Sequence, residues 1–329
     1  MQTGMPEYVL GVDIGGTYTK YGFVNREGNC IGESYILTHA DEPFTHFLVR
    51  LVQAIEESRR ALGFEIALRG IGIGAPNANY YTGRIEKPAN LSWGDVDVVG
   101  QLSRHYRGIP IVITNDANAA AIGEMKFGAA RNMRDFIMIT LGTGLGSGIV
   151  ANGKLVYGHD GFAGEMGHVI VDPNGRMHSN GRRGALETYV SASGIKRTVF
   201  YLMAEYPYES ELRHLSYHEM TSEHITAAAL RGDKIALEAY EYTGRILGMK
   251  LADAVAHTSP EAIIFFGGLT KAGNLLLEPV KRHMEAYLFP IYRNKVKLLI
   301  SALEGKNVAV LGASALAWNE IDSNMMVSF

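Results

Sequence analysis

Cysteine is nearly absent from this chain. Of 329 residues only Cys30 carries a thiol, which rules out an internal disulfide and any metal cage built from several thiolates. Net charge is scarce as well: 31 Lys plus Arg against 34 Asp plus Glu leave −3, so no overall field draws the chain to nucleic acid or to an anionic membrane. No apolar run approaches the roughly 18 residues that a membrane helix needs, and MQTGMPEYVLGVD lacks a charged segment leading into a long apolar one. The cytoplasm is therefore the expected compartment, and the sequon Asn90-Leu-Ser92 is expected to be silent there.

What is present is an ordinary globular composition, 47 % hydrophobic and 20 % charged, in a chain longer than one core usually absorbs. Two α/β parts are expected. Apolar runs at 8–14, 20–24, 67–75 and 110–114 read as strands. Phe44, Phe47, Leu48, Leu51, Val52 and Ile55 line one face of a helix that starts after Pro43 and can end at Gly63. A second set of strands falls at 135–141, in GSGIVANGKLVYG, at 261–268 and at 296–300, separated by helical stretches near 187–204, 224–256 and 275–288. Each set opens with a strand, a glycine-rich turn and a second strand: VDIGGTYTKYGFV in one, ITLGTGLGSGIV in the other. That is the pattern of a duplicated lobe. The closing residues IDSNMMVSF show no periodicity.

The first of these turns, Asp13-Ile-Gly15-Gly16-Thr17, interrupts an apolar strand with an acid and two glycines. Two readings stay open, a plain hairpin turn and a turn that lets backbone amides approach an anion. Gly142-Thr143-Gly144 poses the same choice. The dinucleotide fingerprint G-x-G-x-x-G fails there, and G-x-x-x-x-G-K at 148–154 is followed by Leu155 where a hydroxyl should bind magnesium, so Asn152-Gly153 reads as a hairpin turn. Asn115 and Asp116 stand where a short strand runs into an Ala-rich helix, the place for an Asx cap and also for the chemistry of α/β proteins. Glu165 and His168 lie three apart in a glycine-flanked segment, and Glu187 opens a helical stretch. Together, such carboxylates, carboxamides and an imidazole match vicinal hydroxyls, and one placed carboxylate can take a proton from an attacking alcohol.

These motifs resemble those of the ROK (repressor, open reading frame, kinase) sugar kinases, the glucokinase-like members above all, over nearly the whole chain. D-x-G-G-T stands at Asp13–Thr17, a second phosphate motif at 141–148, and a sugar loop at Gly74–Asn77 with Lys87–Trp93. N-D-A-N-A-A-A-x-G-E is complete from Asn115 to Glu124, and G-x-A-G-E-x-G-H from Gly161 to His168. The resemblance implies the actin-like, hexokinase-like ATPase fold: two RNase-H-like α/β lobes with the active site in the cleft between them. It places a small lobe at 1–117, completed by a C-terminal helix at about 308–320, and a large lobe at 118–307.

It further implies phosphoryl transfer from ATP to the 6-hydroxyl of a hexose, glucose first, with N-acetylmannosamine, mannose, allose or fructose as alternatives. Asp116 becomes the base, and Asn90, Asn115, Glu165, His168 and Glu187 become hydroxyl ligands. Asp13 holds Mg²⁺ through water. Gly15, Gly16, Thr17, Thr143 and Gly144 meet phosphates, while Gly267 and Gly268 meet the adenosine end, with the segment near Gly312 on the same side. Relatives suggest a homodimer. A non-catalytic sugar sensor is the reading from another class, though the few residues before the first strand are too short for the helix-turn-helix of the family's repressors. One departure stands out. Many members hold zinc with His168 and three cysteines of C-x-C-G-x-x-G-C-x-E, but here those places are His178, Asn180 and Ala185, ahead of Glu187. No structural zinc is expected, because imidazoles and an amide do not replace a thiolate cage.

Overall fold

A computed structural model describes residues 5–88, 91–303 and 307–326. Asn90, assigned above to the sugar, lies outside them. The chain divides into two compact units, each taken by itself here. Unit 1 comprises residues up to 132, 155–163 and from 302 onward; unit 2 comprises 133–154 and 164–301.

In unit 1 the order is β1 (Glu7–Ile14), β2 (Tyr18–Val24), β3 (Cys30–Leu37), α1 (Phe44–Ala61), β4 (Ala67–Gly74), the short strands β5 (Ala78–Asn79), β6 (Arg84–Ile85) and β7 (Val96–Asp97), then α2 (Val98–Leu102), β8 (Ile111–Thr114) and α3 (Asp116–Phe127). Unit 2 holds β9 (Phe136–Leu141), β10 (Leu145–Ala151), the start of β11 (Lys154–Leu155), α4 (Ala192–Glu205), α5 (Ser222–Leu230), α6 (Lys234–Thr258), β12 (Ala262–Phe266), α7 (Asn274–Tyr287) and β13 (Lys297–Ile300). The last helix, α8 (Val308–Met326), returns to unit 1.

The two main sheets repeat one topology. Their orders are β3-β2-β1-β4-β8 and β11-β10-β9-β12-β13, so each is an antiparallel three-strand meander extended by two parallel strands. This is the RNase-H-like arrangement, present twice, as the paired strand–turn–strand motifs suggest. The apolar side chains of β1, β4 and β8 join the buried face of α1 in one core; those of β9 and β12 join α4, α5, α6 and α7 in the other.

The boundary differs from the one read in the sequence. A break at 117/118 would cut α3 after its second residue, whereas α3 is a single helix packed along α8 within unit 1. The stretch 224–256 is two helices rather than one, because Gly232 takes φ +86° and the Asp233 carboxylate caps the amide of Ala236. The aperiodic tail is helical through Met326, with Ile321 packed at Trp318 and Asp322 bonded to Arg26 at 2.8 Å and Lys126 at 3.2 Å.

Why α8 belongs to unit 1 is written in glycines that the pattern reading passed over. Gly22, Gly11 and Gly72 stand side by side across β2, β1 and β4. A Cβ at Gly72 would lie 1.8 Å from the Ala313 carbonyl oxygen, and one at Gly11 would lie 2.3 Å from that of Val310. The sheet thus offers α8 bare backbone, and α8 answers with the small residues Ala313, Ser314 and Ala317. Trp318 then closes the end, fully buried, its indole N–H donating to the Val24 carbonyl at 3.3 Å.

Candidate functional site

In unit 1 the register of the sheet sets the acids. Asp13 pairs with Gly74, and Gly74 with Thr114, so the ends of β1, β4 and β8 lie in one row. Two residues beyond Thr114, Asp116 opens α3. Asn115 is its cap: the side-chain Oδ1 accepts from the Asn118 amide at 2.7 Å. That oxygen thus spends one of its two lone pairs on the helix start.

Asp116 does not cap its own helix in this way. Its Oδ1 accepts the adjacent Ala117 amide, at 2.9 Å. Solvent reaches the side chain, yet the surrounding protein desolvates it enough to raise its pKa against that hydrogen bond. Asp13 is pushed up to about 6, by burial first and by the Asp116 charge second, with Lys20 across the hairpin pulling the other way. Among the described carboxylates, these two have their pKa values raised. Such clustering is what acid–base and metal sites show.

The turn after Asp13 is held open from behind. The Gly15 amide donates to the Tyr18 carbonyl at 3.0 Å, and the Gly15 carbonyl accepts from the Thr38 hydroxyl at 2.7 Å. Thr38 also bonds the Thr19 hydroxyl at 3.0 Å and donates its amide to the Thr17 carbonyl at 2.9 Å. Thr38 was not singled out in the sequence, where it is one more polar residue after a strand. Thr17 itself is exposed at the crest.

The sugar loop is braced on both sides of Asn90. Asn77, at φ +53°, donates its amide to the carbonyls of Glu86 and Lys87 at 3.1 and 3.0 Å. Trp93 packs its ring against Phe47 at 4.7 Å and Phe44 at 5.1 Å. Asn79 fastens the entry to the G-x-A-G-E-x-G-H motif by donating to the Asp160 carbonyl at 2.7 Å, beside Gly161 at φ +91°.

In unit 2 the turn Gly142-Thr143-Gly144 is docked on the start of α4: the Ala192 amide donates to the Gly142 carbonyl at 2.9 Å and the Ser193 hydroxyl to the Thr143 carbonyl at 3.0 Å. Glu187 lies in a 3₁₀ turn, Leu186–Thr188, just before that helix. Its Oε2 accepts the Leu145 amide at 3.2 Å, and a Cβ on Gly144 would stand 2.5 Å from the same oxygen. Glu165 and His168 flank a second 3₁₀ turn, Met166–His168, which Ser147 holds by accepting the Met166 amide at 2.9 Å and donating to the Gly164 carbonyl. Ser147 is a further residue that sequence reasoning missed.

Two glycines have nothing to pack against. A Cβ at Gly142 or at Gly268 would meet no atom within 4 Å, and both are exposed. Neither takes a positive φ, so neither conformation nor crowding explains the glycine, and the space before each is open. Gly267 differs: at φ +112° its Cβ would strike the Leu141 carbonyl at 2.4 Å. Gly312 is buried in α8, where a Cβ would lie 2.4 Å from the Ala119 carbonyl, so the residue itself serves the approach of α3 and α8.

The ligand atoms of His168, His178 and Glu187 lie within 4.8 Å of one another. They do not fit a zinc centre. His178 Nδ1 accepts the Asn180 amide at 3.1 Å, its Nε2 meets Glu187 Oε1, and Glu187 Oε2 is taken by Leu145. No thiolate is near, and only His168 retains an uncommitted ring nitrogen.

The ROK family profile matches residues 9–320. The chain is a ROK family member. The glucokinase of Halalkalibacterium halodurans is 35 % identical over 324 residues, 96 % of each chain. The crystal structure of the ROK glucokinase of Streptomyces griseus with glucose and AMPPNP superposes with a TM-score of 0.78 at 30 % identity, covering 95 % of this chain and 99 % of that one. ROK members also include regulators: the xylose repressor of Bacillus spizizenii is 28 % identical over 94 % of this chain and 76 % of its own length. No described helix of this ROK chain is long and apolar enough to cross a membrane.

Proposed function

We propose that this chain is a hexokinase of glucokinase type, transferring the γ-phosphoryl group of ATP to the 6-hydroxyl of glucose in the cytoplasm, as a homodimer. The observation that carries this reading is Asp116. It is a solvent-reached carboxylate of raised pKa at a helix start, accepting local backbone amides and, among the described residues, holding no cation partner. A sensor needs hydroxyl ligands but no such base. Support also comes from the relatives, whose names and bound molecules are glucokinase, glucose and an ATP analogue.

In this reading Asp116 takes the proton of the sugar 6-hydroxyl as the oxygen attacks. Its raised pKa makes it a stronger proton acceptor than an ordinary aspartate. Asn90, Asn115, Glu165, His168 and Glu187 bind the remaining hydroxyls; carboxylates accept, and the Asn115 amide donates. Gly16, Thr17, Thr143 and Gly144 present amides and hydroxyls to the phosphates, at a turn that the Gly15 amide closes through Tyr18. Gly267 shapes the turn whose exposed neighbour Gly268 lets the adenosine end approach.

Asp13 is suited to Mg²⁺, since burial and the Asp116 charge both disfavour its anion and a cation offsets both. When bound, hydrated Mg²⁺ would neutralise phosphate charge.

A coupled assay of ADP release over a panel of glucose, mannose, fructose, allose and N-acetylmannosamine tests the proposal. Glucose should give the highest kcat/KM. Binding of glucose without ADP release would establish the sensor instead, and turnover confined to an amino sugar would replace glucose as the substrate.

A further inference from the structure

The loop that carries zinc in many relatives is ordered here by other means, and the means reach the sugar site. Arg176 anchors its root. The guanidinium lies 4.5 Å over the Tyr189 ring and 5.6 Å over that of Tyr242, and it donates to the carbonyls of Thr188 and Gly194, both at 3.0 Å. At the tip, His178 and Arg182 exchange a backbone bond of 2.8 Å, Met177 pairs with Arg183, and Asn180 Oδ1 accepts the Arg182 amide at 3.0 Å. Ala185 is buried at 3 % exposure. So Asn180 and Ala185, in two of the three cysteine places, serve the loop's own hairpin and packing. The third place, His178, points elsewhere.

His178 has one chemically consistent assignment. Its Nδ1 faces the Asn180 amide N–H, a donor, so Nδ1 must be the lone-pair nitrogen. In the neutral ring the proton is then on Nε2, which faces the Glu187 carboxylate. The tautomer that could ligate a metal through Nε2 would put an N–H on Nδ1 against the N–H of Asn180, two donors facing each other. The loop backbone thus selects the form that donates to Glu187 over the form that binds zinc.

We propose that His178 is the positioning residue for Glu187: its Nε2–H holds Oε1 while the Leu145 amide holds Oε2, a metal-free latch that fixes the carboxylate between the glycine turn and the hexose. The part concerning hexose rests on the assignment of Glu187 to a sugar hydroxyl; the latch itself does not. Two donors on one carboxylate leave its outward lone pairs oriented, the service that outer-shell hydrogen bonds perform for a metal ligand. Glu187 is 22 % and His178 11 % exposed at the side chain, so the pair is sheltered while the acid stays within reach of a ligand.

The test combines three measurements on the full-length protein. Nitrogen-15 NMR of the imidazoles should show His178 with a protonated Nε2 and a lone pair on Nδ1, and Glu187→Gln should move those signals. Metal analysis of purified wild-type protein should find no stoichiometric zinc, and chelation should leave the melting temperature unchanged. His178→Ala should raise the hexose KM by about 10–100-fold, with a smaller change in kcat and none in the ATP KM. His178→Gln, whose amide nitrogen falls near the place of Nε2, should recover most of the loss.

One zinc per chain, removed by chelator together with activity, would overturn the latch. So would an unchanged hexose KM in His178→Ala, or equal damage to the hexose and ATP constants with a lower melting temperature, which would mark a general loosening of the loop. If the wild-type protein phosphorylated no hexose, the assignment of function would fail. The imidazole signals would then decide the latch alone, an Nδ1–H form refuting it.

Discussion

Asp13 and Asp116 face the same row of strand ends from positions two strands apart, with Gly74 between them and no side chain there to separate their charges. At a strand spacing of about 4.8 Å the backbones stand roughly 10 Å apart, close enough for the charge on one acid to raise the pKa of the other. Desolvation contributes more than that repulsion to the Asp13 value of about 6. In the proposed function one acid serves the cation and the other the alcohol.

Replacing Asp116 by Asn keeps the shape and removes the carboxylate proposed as the base. The expected outcome is a fall in kcat of about 10²–10⁴ with the hexose dissociation constant preserved, checked by single-turnover ADP release and by calorimetric titration of the sugar. An Asn variant with near wild-type kcat would remove Asp116 from its assigned role.

The same variant should lower the pKa of Asp13, since it deletes the repulsive charge. The acid limb of Mg–nucleotide binding, followed by fluorescence titration between pH 4 and 8, should move to lower pH in Asp116→Asn. A limb that stays in place would separate the two acids electrostatically.

Asp13 should also carry a stability signature. Its folded pKa of about 6 lies above the ordinary value of 3.8, so the native state holds its proton more tightly than the unfolded chain does. Native stability is then greatest below pH 4 for this group, falls as pH rises from about 4 to 6, and stays at its lower level above. Asp13→Asn should accordingly raise the unfolding free energy at pH 8 by an amount of order 1–3 kcal/mol and change it little at pH 4. Denaturant unfolding at the two pH values checks this.

Glycines divide into two classes with opposite expected outcomes. Gly72→Ala would force a methyl group into the Ala313 carbonyl and should destabilise the chain by at least about 1–3 kcal/mol. Gly142→Ala and Gly268→Ala meet no atom and should leave stability within about 0.5 kcal/mol while raising the ATP KM. Thermal unfolding beside nucleotide kinetics distinguishes them, and equal stability losses at all three positions would dissolve the distinction.

Much of the fold was legible because the apolar runs 8–14, 67–75 and 135–141 are buried strands of a sheet covered by helices, where continuous hydrophobicity is the signal. The duplication was legible in two strand–turn–strand motifs. Gly232 was not read as a break, since one glycine in a helical pattern has no sign of its own until its φ is known. The boundary was missed for a related reason: α3 belongs to unit 1 through contact with α8, almost two hundred residues later, and no local pattern encodes that. In the site, Asp13, Asn115 and Asp116 announced themselves as polar residues at strand ends. Thr38, Ser147 and Arg176 did not, because each acts by bonding a segment well removed in sequence.

The row of bare glycines under α8 has a consequence for how the protein is born. Strands β1 and β4 leave the ribosome early, yet their cover is synthesised last, whereas every element of unit 2 has emerged before residue 302. The nascent chain therefore completes its inner half first, and the older half waits with an uncovered sheet face, dependent on chaperones until Trp318 arrives to seal it. Ribosome-bound chains halted before Val308 should show a protease-resistant fragment from residues 133–301 beside a digestible N-terminal third.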